Sequence, residues 1–320
     1  MCILKKLGFL FILLFCLLLP GCSEVPLART DFLFDTVVTV KLYRGGDEAT
    51  LDRVFDRLRE LDRLLDVHGD GPLAVLNRDG EAELPAEAAA LLERAQELSA
   101  LTCGAYDPVL GAVTGLYAFG EGAVPPDPAA VAEALPRTGS DKLEVSGTRA
   151  VLADGARVDL GGIAKGYASA EAARLLEEEG VEAALVDLGG NIVTVGEKSP
   201  PFRIAVRSPS GEAEAAALLT PEYRAAVTAG TYQRCFTYDG VLYHHILDPA
   251  TGEPVRNGVQ SVTVLADDPT LADALSTAAL VLGPERGLAL VESLPDVEAL
   301  FLLEDGTERE SSGFARSRAD

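Results

Sequence analysis

Apolar and polar positions recur along this chain with two different periods, and the switches between them outline its elements. Asp31 to Tyr43, with Val37, Val38 and Val40, is rich in β-branched side chains and predicts one strand. From Glu48 to Asp66, Leu51, Val54, Phe55, Leu58, Leu61 and Leu65 fall at helical spacing and predict a core-facing amphipathic helix. A second such helix is expected over Pro85 to Ala100, and a short one starts with Asp127 as N-cap and Pro128 at its first position. Lys142 to Asp159 reads as strands joined by turns at Ser146-Gly147 and Asp154-Gly155, with Ala156 to Leu160 as a short buried strand. A helix from Ala164 to Gly180 follows, then strand, Gly-Gly turn and strand over Glu182 to Val195, and a strand over Phe202 to Val206. Cys235 to Tyr238 and Val241 to His245 form a hairpin across Asp239-Gly240. Gln260 to Leu265 is a strand, Leu271 to Leu282 a helix closed by Gly283, Glu285 to Leu294 a helix, and Glu298 to Leu303 a last strand. Strands in hairpins beside separated helices predict an α+β fold rather than a doubly wound sheet.

The two ends read differently. Lys5 and Lys6 precede an apolar run, Leu7 to Leu19, that is shorter than the ~20 residues of a membrane span. It suits the apolar region of a secretory signal over residues 1–21. Leu18-Leu19-Pro20-Gly21-Cys22 resembles a bacterial lipobox, which makes Cys22 the lipidated first residue of an exported protein, followed by a tether over 22–30. Two or more acyl chains on one residue hold a protein stably to a membrane. The folded domain is expected over 31–307, and the Ser-, Arg- and Gly-rich residues 308–320 are expected to be disordered. With 27 basic against 50 acidic residues the net charge is −23, which argues against a nucleic-acid partner and against electrostatic attraction to anionic lipid. Cys103 and Cys235 remain after processing and are expected as free buried thiols.

Against this background one stretch carries chemistry. Asp159-Leu160-Gly161-Gly162-Ile163-Ala164-Lys165-Gly166-Tyr167 places a glycine turn before a helix N-terminus, where unpaired N–H groups favour an anion. Lys165 sits in the first helical turn, where the dipole disfavours a cation, so it reads either as an anion partner or as a surface lysine. It is neither a dinucleotide fingerprint nor a Walker loop, since Gly166 and then Tyr167, not Ser or Thr, follow the lysine. Asp187-Leu188-Gly189-Gly190-Asn191 repeats the Asp-Leu-Gly-Gly cluster. Asp273 and Thr277, four apart, share a helix face and could hold Mg²⁺ with waters and phosphate oxygens. Spacing alone favours another role, with Thr270 as N-cap and Asp273 closing a capping box. Thr277 could likewise bond back to its own helix. His244 and His245 adjoin on a strand, so only one can enter a given site.

Taken together and in order, these segments, with Thr228 to Arg234, His244 to Pro254 and Ala272 to Ala278, resemble the ApbE family of FAD:protein FMN transferases over roughly Phe32 to Val297. The resemblance implies a T-fold-type architecture, largely antiparallel sheets flanked by helices with an FAD cleft between lobes. It implies Mg²⁺-dependent attachment of FMN from FAD, by a phosphoester, to Ser or Thr of another protein, with release of AMP. By the same resemblance Gly162 (through its carbonyl), Asp273 and Thr277 hold the metal, His245 is the base and Lys165 pairs with the FAD phosphates. Ala105, Tyr106 and Asp107 meet FAD, Asp187 walls the site, Gly230 belongs to a substrate-side segment, and Phe34 stands where the family has methionine beside the flavin. Only His68 lies near the place of the family's flavin-stacking aromatic, and Ala229 and Thr231 depart from its pattern. Acceptors implied are membrane electron-transfer subunits of the Nqr or Rnf type, or related extracytoplasmic flavoproteins, carrying an Asp-x-x-(Ser/Thr)-Gly-Ala-(Ser/Thr) target. The absence of that target from this chain favours a modifying enzyme over a flavinylated carrier. Rival readings are a Mg²⁺-dependent FAD pyrophosphatase yielding FMN and AMP, and a non-enzymatic flavin-binding lipoprotein.

Overall fold

The structure is a computed structural model that describes residues 25–209, 215–220 and 222–319. Cys22 and the signal segment lie outside the described residues. In chain order the elements are β1 (Leu27–Leu33), β2 (Thr36–Arg44), α1 (Glu48–Leu65), α2 (Pro72–Asp79), β3 (Glu81–Glu83), α3 (Ala86–Leu101), the single turn α4 (Gly111–Thr114) and α5 (Pro128–Ala134). Then come β4 (Leu143–Ser146), β5 (Arg149–Leu152), α6 (Ala164–Glu178), β6 (Ala183–Leu188), β7 (Asn191–Gly196), β8 (Ile204–Arg207), β9 (Ala215–Leu219) and β10 (Ala225–Gly230). The chain closes with β11 (Cys235–Tyr238), β12 (Val241–His244), β13 (Val259–Ala266), α7 (Pro269–Glu292), β14 (Val297–Leu303) and β15 (Glu308–Glu310).

Eight strands form one antiparallel sheet in the order β1-β2-β6-β7-β10-β13-β14-β15. Its inner face buries Val38, Val40, Val186, Val193, Val227 and Val262 against α1, α6 and α7 in the main core. A second core joins α2, α3 and the small β3-β5-β4 sheet to one side of α7. On the outer face β8, β9 and Phe314 cover β10, β13 and β14. This is the expected α+β arrangement of helices on antiparallel sheets.

Several expectations are corrected by long-range contacts. The single strand over Asp31 to Tyr43 is a hairpin that begins at Leu27, so the domain reaches into the expected tether. Its turn is made by Phe34 and Asp35, with φ of 51° and 54°, a left-handed pair for which no glycine gave warning. Ala156 to Leu160 joins no sheet. Asn77 takes the place of a partner strand: its Oδ1 accepts from Val158 N at 2.7 Å and its Nδ2 donates to Val158 O at 2.9 Å. The N-cap of α7 is Asp268, not Thr270, its Oδ1 accepting from Thr270 N and Leu271 N, so Asp273 has no capping role. Gly283, at φ 77° and ψ 174°, breaks that helix where the sequence places the boundary between two helices.

The expected disordered tail is packed. β15 pairs with β14, Phe314 is fully buried, and Ser311 donates to the buried Glu298 carboxylate. An apolar anchor and a satisfied carboxylate outweigh a composition that is polar on average. Both free thiols are more open than expected, Cys103 exposed and Cys235 half-buried.

Candidate functional site

The ends of β2, β6, β7, β10 and β12 converge with the start of α6 and the first turns of α7 around a cavity of about 780 Å³. Both Asp-Leu-Gly-Gly clusters turn at its wall, and in each the aspartate folds back on its own turn. Asp159 Oδ1 accepts from Gly161 N at 2.8 Å, and Asp187 Oδ1 accepts from Gly190 N at 3.1 Å. Asp159 is further held by Thr114 Oγ1 at 2.6 Å. The repeated motif is thus a repeated turn that lays two carboxylates and four glycine backbones against one space.

Asp273 is brought in by the crossing of α6 and α7. Its Oδ2 accepts from Gly166 N at 2.8 Å, and only glycine permits the approach: a Cβ there would stand 2.4 Å from Pro269 O and 2.7 Å from Asp273 Cβ. Nothing in the local sequence around Gly166, between Lys165 and Tyr167, marks this close approach. Gly166→Ala is expected to part the helices and lower stability by about 1–3 kcal/mol, the usual cost of overpacking, in a denaturant melt. Unchanged stability would show that the crossing tolerates a side chain.

Burial raises the pKa of Asp273, while the Lys165 charge and the Gly166 N–H pull it back. Asn191 Nδ2 and the buried Tyr106 hydroxyl have no hydrogen-bond partner. Thr277 does not make the expected bond to its own helix. Its Oγ1 faces Gly162, where a Cβ would come within 3.4 Å of it and 3.0 Å of the Tyr106 ring. Unsatisfied polar groups around a buried carboxylate are what a bound cation or phosphate would complete. The residues fit a hard cation held by Asp273, Thr277 and the Gly162 carbonyl.

The two histidines part as expected. His244 is buried and structural, its Nε2 donating to Val255 O at 2.9 Å while Nδ1 accepts from Ile246 N at 3.3 Å. His245 lines the cavity and donates from Nδ1 to Gln233 O at 3.1 Å, which leaves Nε2 unprotonated as an acceptor. Enclosure by protein, and then the Lys165 charge, lower its pKa to about 4. Among the described residues Lys165 hydrogen-bonds only to Gly161 O, at 3.4 Å, and makes no ion pair with a carboxylate.

Ala105, Tyr106 and Asp107 all line the cavity, as do Phe34 and Gly230. The Asp107 oxygens are already taken by Val109 N and Gly139 N, both at 2.9 Å, so this carboxylate also holds a loop. Gly230 lets the Tyr232 ring lie over it, since a Cβ would come within 2.7 Å of that ring. His68 does not belong here. It sits exposed in the loop between α1 and α2, its N–H bonded to Asp66, and does not line the cavity. The aromatic faces are instead Tyr117 and Phe119, stacked at 6.3 Å, with His245 edge-on to Phe119 at 6.4 Å. Leu116-Tyr117-Ala118-Phe119-Gly120 matches a family segment, with Tyr117 where a tryptophan is commoner, but carries no assigned role in the sequence. Arg207 and Arg234, also at the wall, went unassigned as well, and Arg234 pairs with Asp35 across the hairpin turn at 2.9 Å.

Aromatic faces, a lysine, a buried carboxylate with unsatisfied hydroxyls and a neutral histidine in one cavity define an enzyme for a substrate that joins rings to phosphates. The comparisons agree. The ApbE family matches residues 34–301. A FAD:protein FMN transferase of Treponema pallidum is 37% identical, covering 89% of this chain and 87% of its own length. One from Vibrio cholerae is 34% identical over 87% of this chain and 88% of its own. Among solved structures, the ApbE protein of Thermotoga maritima superposes with a TM-score of 0.85 at 30% identity, covering 92% of this chain and all of the other. The flavinyl transferase ApbE of Pseudomonas stutzeri, apo form, gives 0.82 at 30% identity, covering 93% and 98%. The chain belongs to the ApbE family.

Proposed function

We propose that this protein is a Mg²⁺-dependent FAD:protein FMN transferase that attaches FMN to a Ser or Thr hydroxyl of an extracytoplasmic or membrane flavoprotein. The observation that carries it is the meeting of Lys165, His245 and Asp273 in one aromatic-walled cavity, in a chain whose relatives bear that activity's name. The acceptor hydroxyl attacks the FMN-side phosphorus of FAD, its proton passes to His245 Nε2, and the bond to AMP breaks. Lys165 sets a point charge against the phosphates. Asp273, Thr277 and the Gly162 carbonyl would hold Mg²⁺, which would supply positive charge against the pyrophosphate. Tyr117 and Phe119 offer faces on which a ring can stack.

The test is intact-mass analysis of a recombinant soluble domain carrying an Asp-x-x-Thr-Gly-Ala-Thr target, incubated with the protein, FAD and Mg²⁺. One added FMN per target sequence, with one AMP released for each FMN, is the expected result. AMP release without acceptor modification would show a FAD pyrophosphatase instead. Subunits of the Nqr or Rnf type are the acceptors proposed.

Lys165→Ala is expected to weaken FAD at least tenfold while changing riboflavin binding little, because the lost contact is to phosphate. Equal loss for both in a flavin-fluorescence titration would place Lys165 against the rings. For location we propose export and a lipid anchor at Cys22. The supporting points are the Leu18-Leu19-Pro20-Gly21-Cys22 sequence and an acidity that gives no electrostatic hold on anionic lipid. Cys22→Ala should leave the membrane fraction, and a variant still sedimenting with membranes at high salt would refute the anchor.

A further inference from the structure

A transferase has two substrates to seat, and the outer face of the large sheet is only half covered. β8, β9 and Phe314 close it over β10, β13 and β14. Over β1 and the first half of β2 the outward side chains Ala28, Thr30, Phe32 and Val37 are exposed. An antiparallel sheet commonly shows water one face, but that face is then polar. Here Phe32, 65% exposed, and Val37, 57% exposed, sit opposite one another in register.

This open patch runs into the cavity without a break. Val37 belongs to both, at the cavity's rim. In the neighbouring row Thr30 faces Thr39, Thr39 faces Asp187, and Asp187 faces Ile192, and the last three of these line the cavity. Thr30 and Thr39 bond to each other through their hydroxyls at 2.9 Å, which keeps the row low and flat. Lys41, one position further along the same face, makes no direct hydrogen bond or ion pair with a described residue and acts on Asp187 only through its charge, in a chain with 50 acidic and 27 basic residues. A narrow row of short side chains between an apolar pair and a lysine with no direct ion pair fits an extended peptide better than a folded ligand.

We propose that the acceptor polypeptide docks on this face, a reading that rests on the transferase function above. An extended segment lies across β1 and β2 with an apolar side chain on Phe32 and Val37 and acidic character toward Lys41. Its Ser or Thr hydroxyl then passes over Thr39 toward His245. The occupant is the acceptor because the patch shares its wall with the cavity in which the hydroxyl must arrive.

The experiment measures steady-state flavinylation of the soluble Asp-x-x-Thr-Gly-Ala-Thr domain by Phe32→Asp and Lys41→Glu. Neither residue lines the cavity, and Phe32 is exposed, so folding is not at stake. KM for the acceptor should rise at least tenfold in Phe32→Asp and severalfold in Lys41→Glu. The kcat at saturating acceptor and the FAD dissociation constant should stay within twofold. Acceptor KM within twofold of wild type in both variants overturns the docking face while leaving the transferase reading intact. A parallel loss of FAD affinity also overturns it, by assigning the face to FAD. A wild-type dimer that Phe32→Asp dissociates in sedimentation, with acceptor KM unchanged, assigns the face to a second copy of the chain. No transfer by the wild type removes the transferase reading for this acceptor and the docking proposal with it.

Discussion

Asp273→Asn is expected to lose FMN transfer by on the order of 100-fold or more while melting within a few degrees of the wild type. The two effects separate because the residue does two things. Asparagine can still accept the Gly166 N–H bond, now 2.8 Å long, so the crossing of α6 and α7 keeps its link. The negative charge is gone, and a hard cation binds poorly without a carboxylate. A loss of about 3 kcal/mol of transition-state stabilisation corresponds to roughly 100-fold in rate. Stability should not suffer, and the sign follows from the carboxyl's titration. Burial holds its folded pKa above the ordinary 3.8, so stability is lost as pH rises from that value through the folded pKa. Above the folded pKa the ionised wild-type group is therefore a burden that asparagine lacks. Excess Mg²⁺ should restore part of the activity. Asp268→Ala is the control, because Asp268 caps the helix: it should cost about 1 kcal/mol of stability and leave transfer nearly intact. Normal transfer by Asp273→Asn would remove this residue from the chemistry.

His245→Gly should lower kcat by roughly 10²- to 10⁴-fold, the range for a positioned general base, with FAD binding little changed. Added imidazole should recover part of the rate, which a purely structural histidine would not allow. The pH profile carries a second signature. A neutral imidazole is the active form, and the wild-type pKa of about 4 keeps it neutral over the whole range above pH 5. The histidine contribution to kcat/KM is therefore flat from pH 8 to about 5 and falls below that. The nearby Lys165 charge is one cause of the low value, so in Lys165→Ala the histidine limb should move to higher pH. A limb that stays in place, or a His245→Gly loss matched by a collapsed melting point and no imidazole rescue, would make the residue structural.

The aromatic wall shows how a site can be legible in outline and wrong in one part. The family pattern calls for an aromatic near residue 68, and His68 is the nearest ring in sequence, yet α1 and α2 hold it in an exposed loop. Tyr117 and Phe119 reach the cavity from a segment that resembles a family segment but whose sequence states no contact. Tyr117 is fixed there by a bond from its hydroxyl to Gly252 O at 2.9 Å, 135 residues away in sequence.

What the chain determines by itself is local. The spacing of Leu51 to Leu65 makes α1, Asp239-Gly240 makes the β11–β12 hairpin, and Gly283 breaks α7, because each depends on neighbours within a few residues. The order of the glycine, histidine and aspartate clusters was likewise legible, and all of them reach one cavity. Tertiary structure alone decided the rest. Asp273 and Thr270 fit a capping box until Asp268 took the cap, which left the carboxylate to a helix 107 residues distant. Ala156 to Leu160 had the composition of a strand, but Asn77, 81 residues away, satisfied its backbone first. Buried N–H and C=O groups must find partners, and a sequence states that need without naming which distant group will meet it.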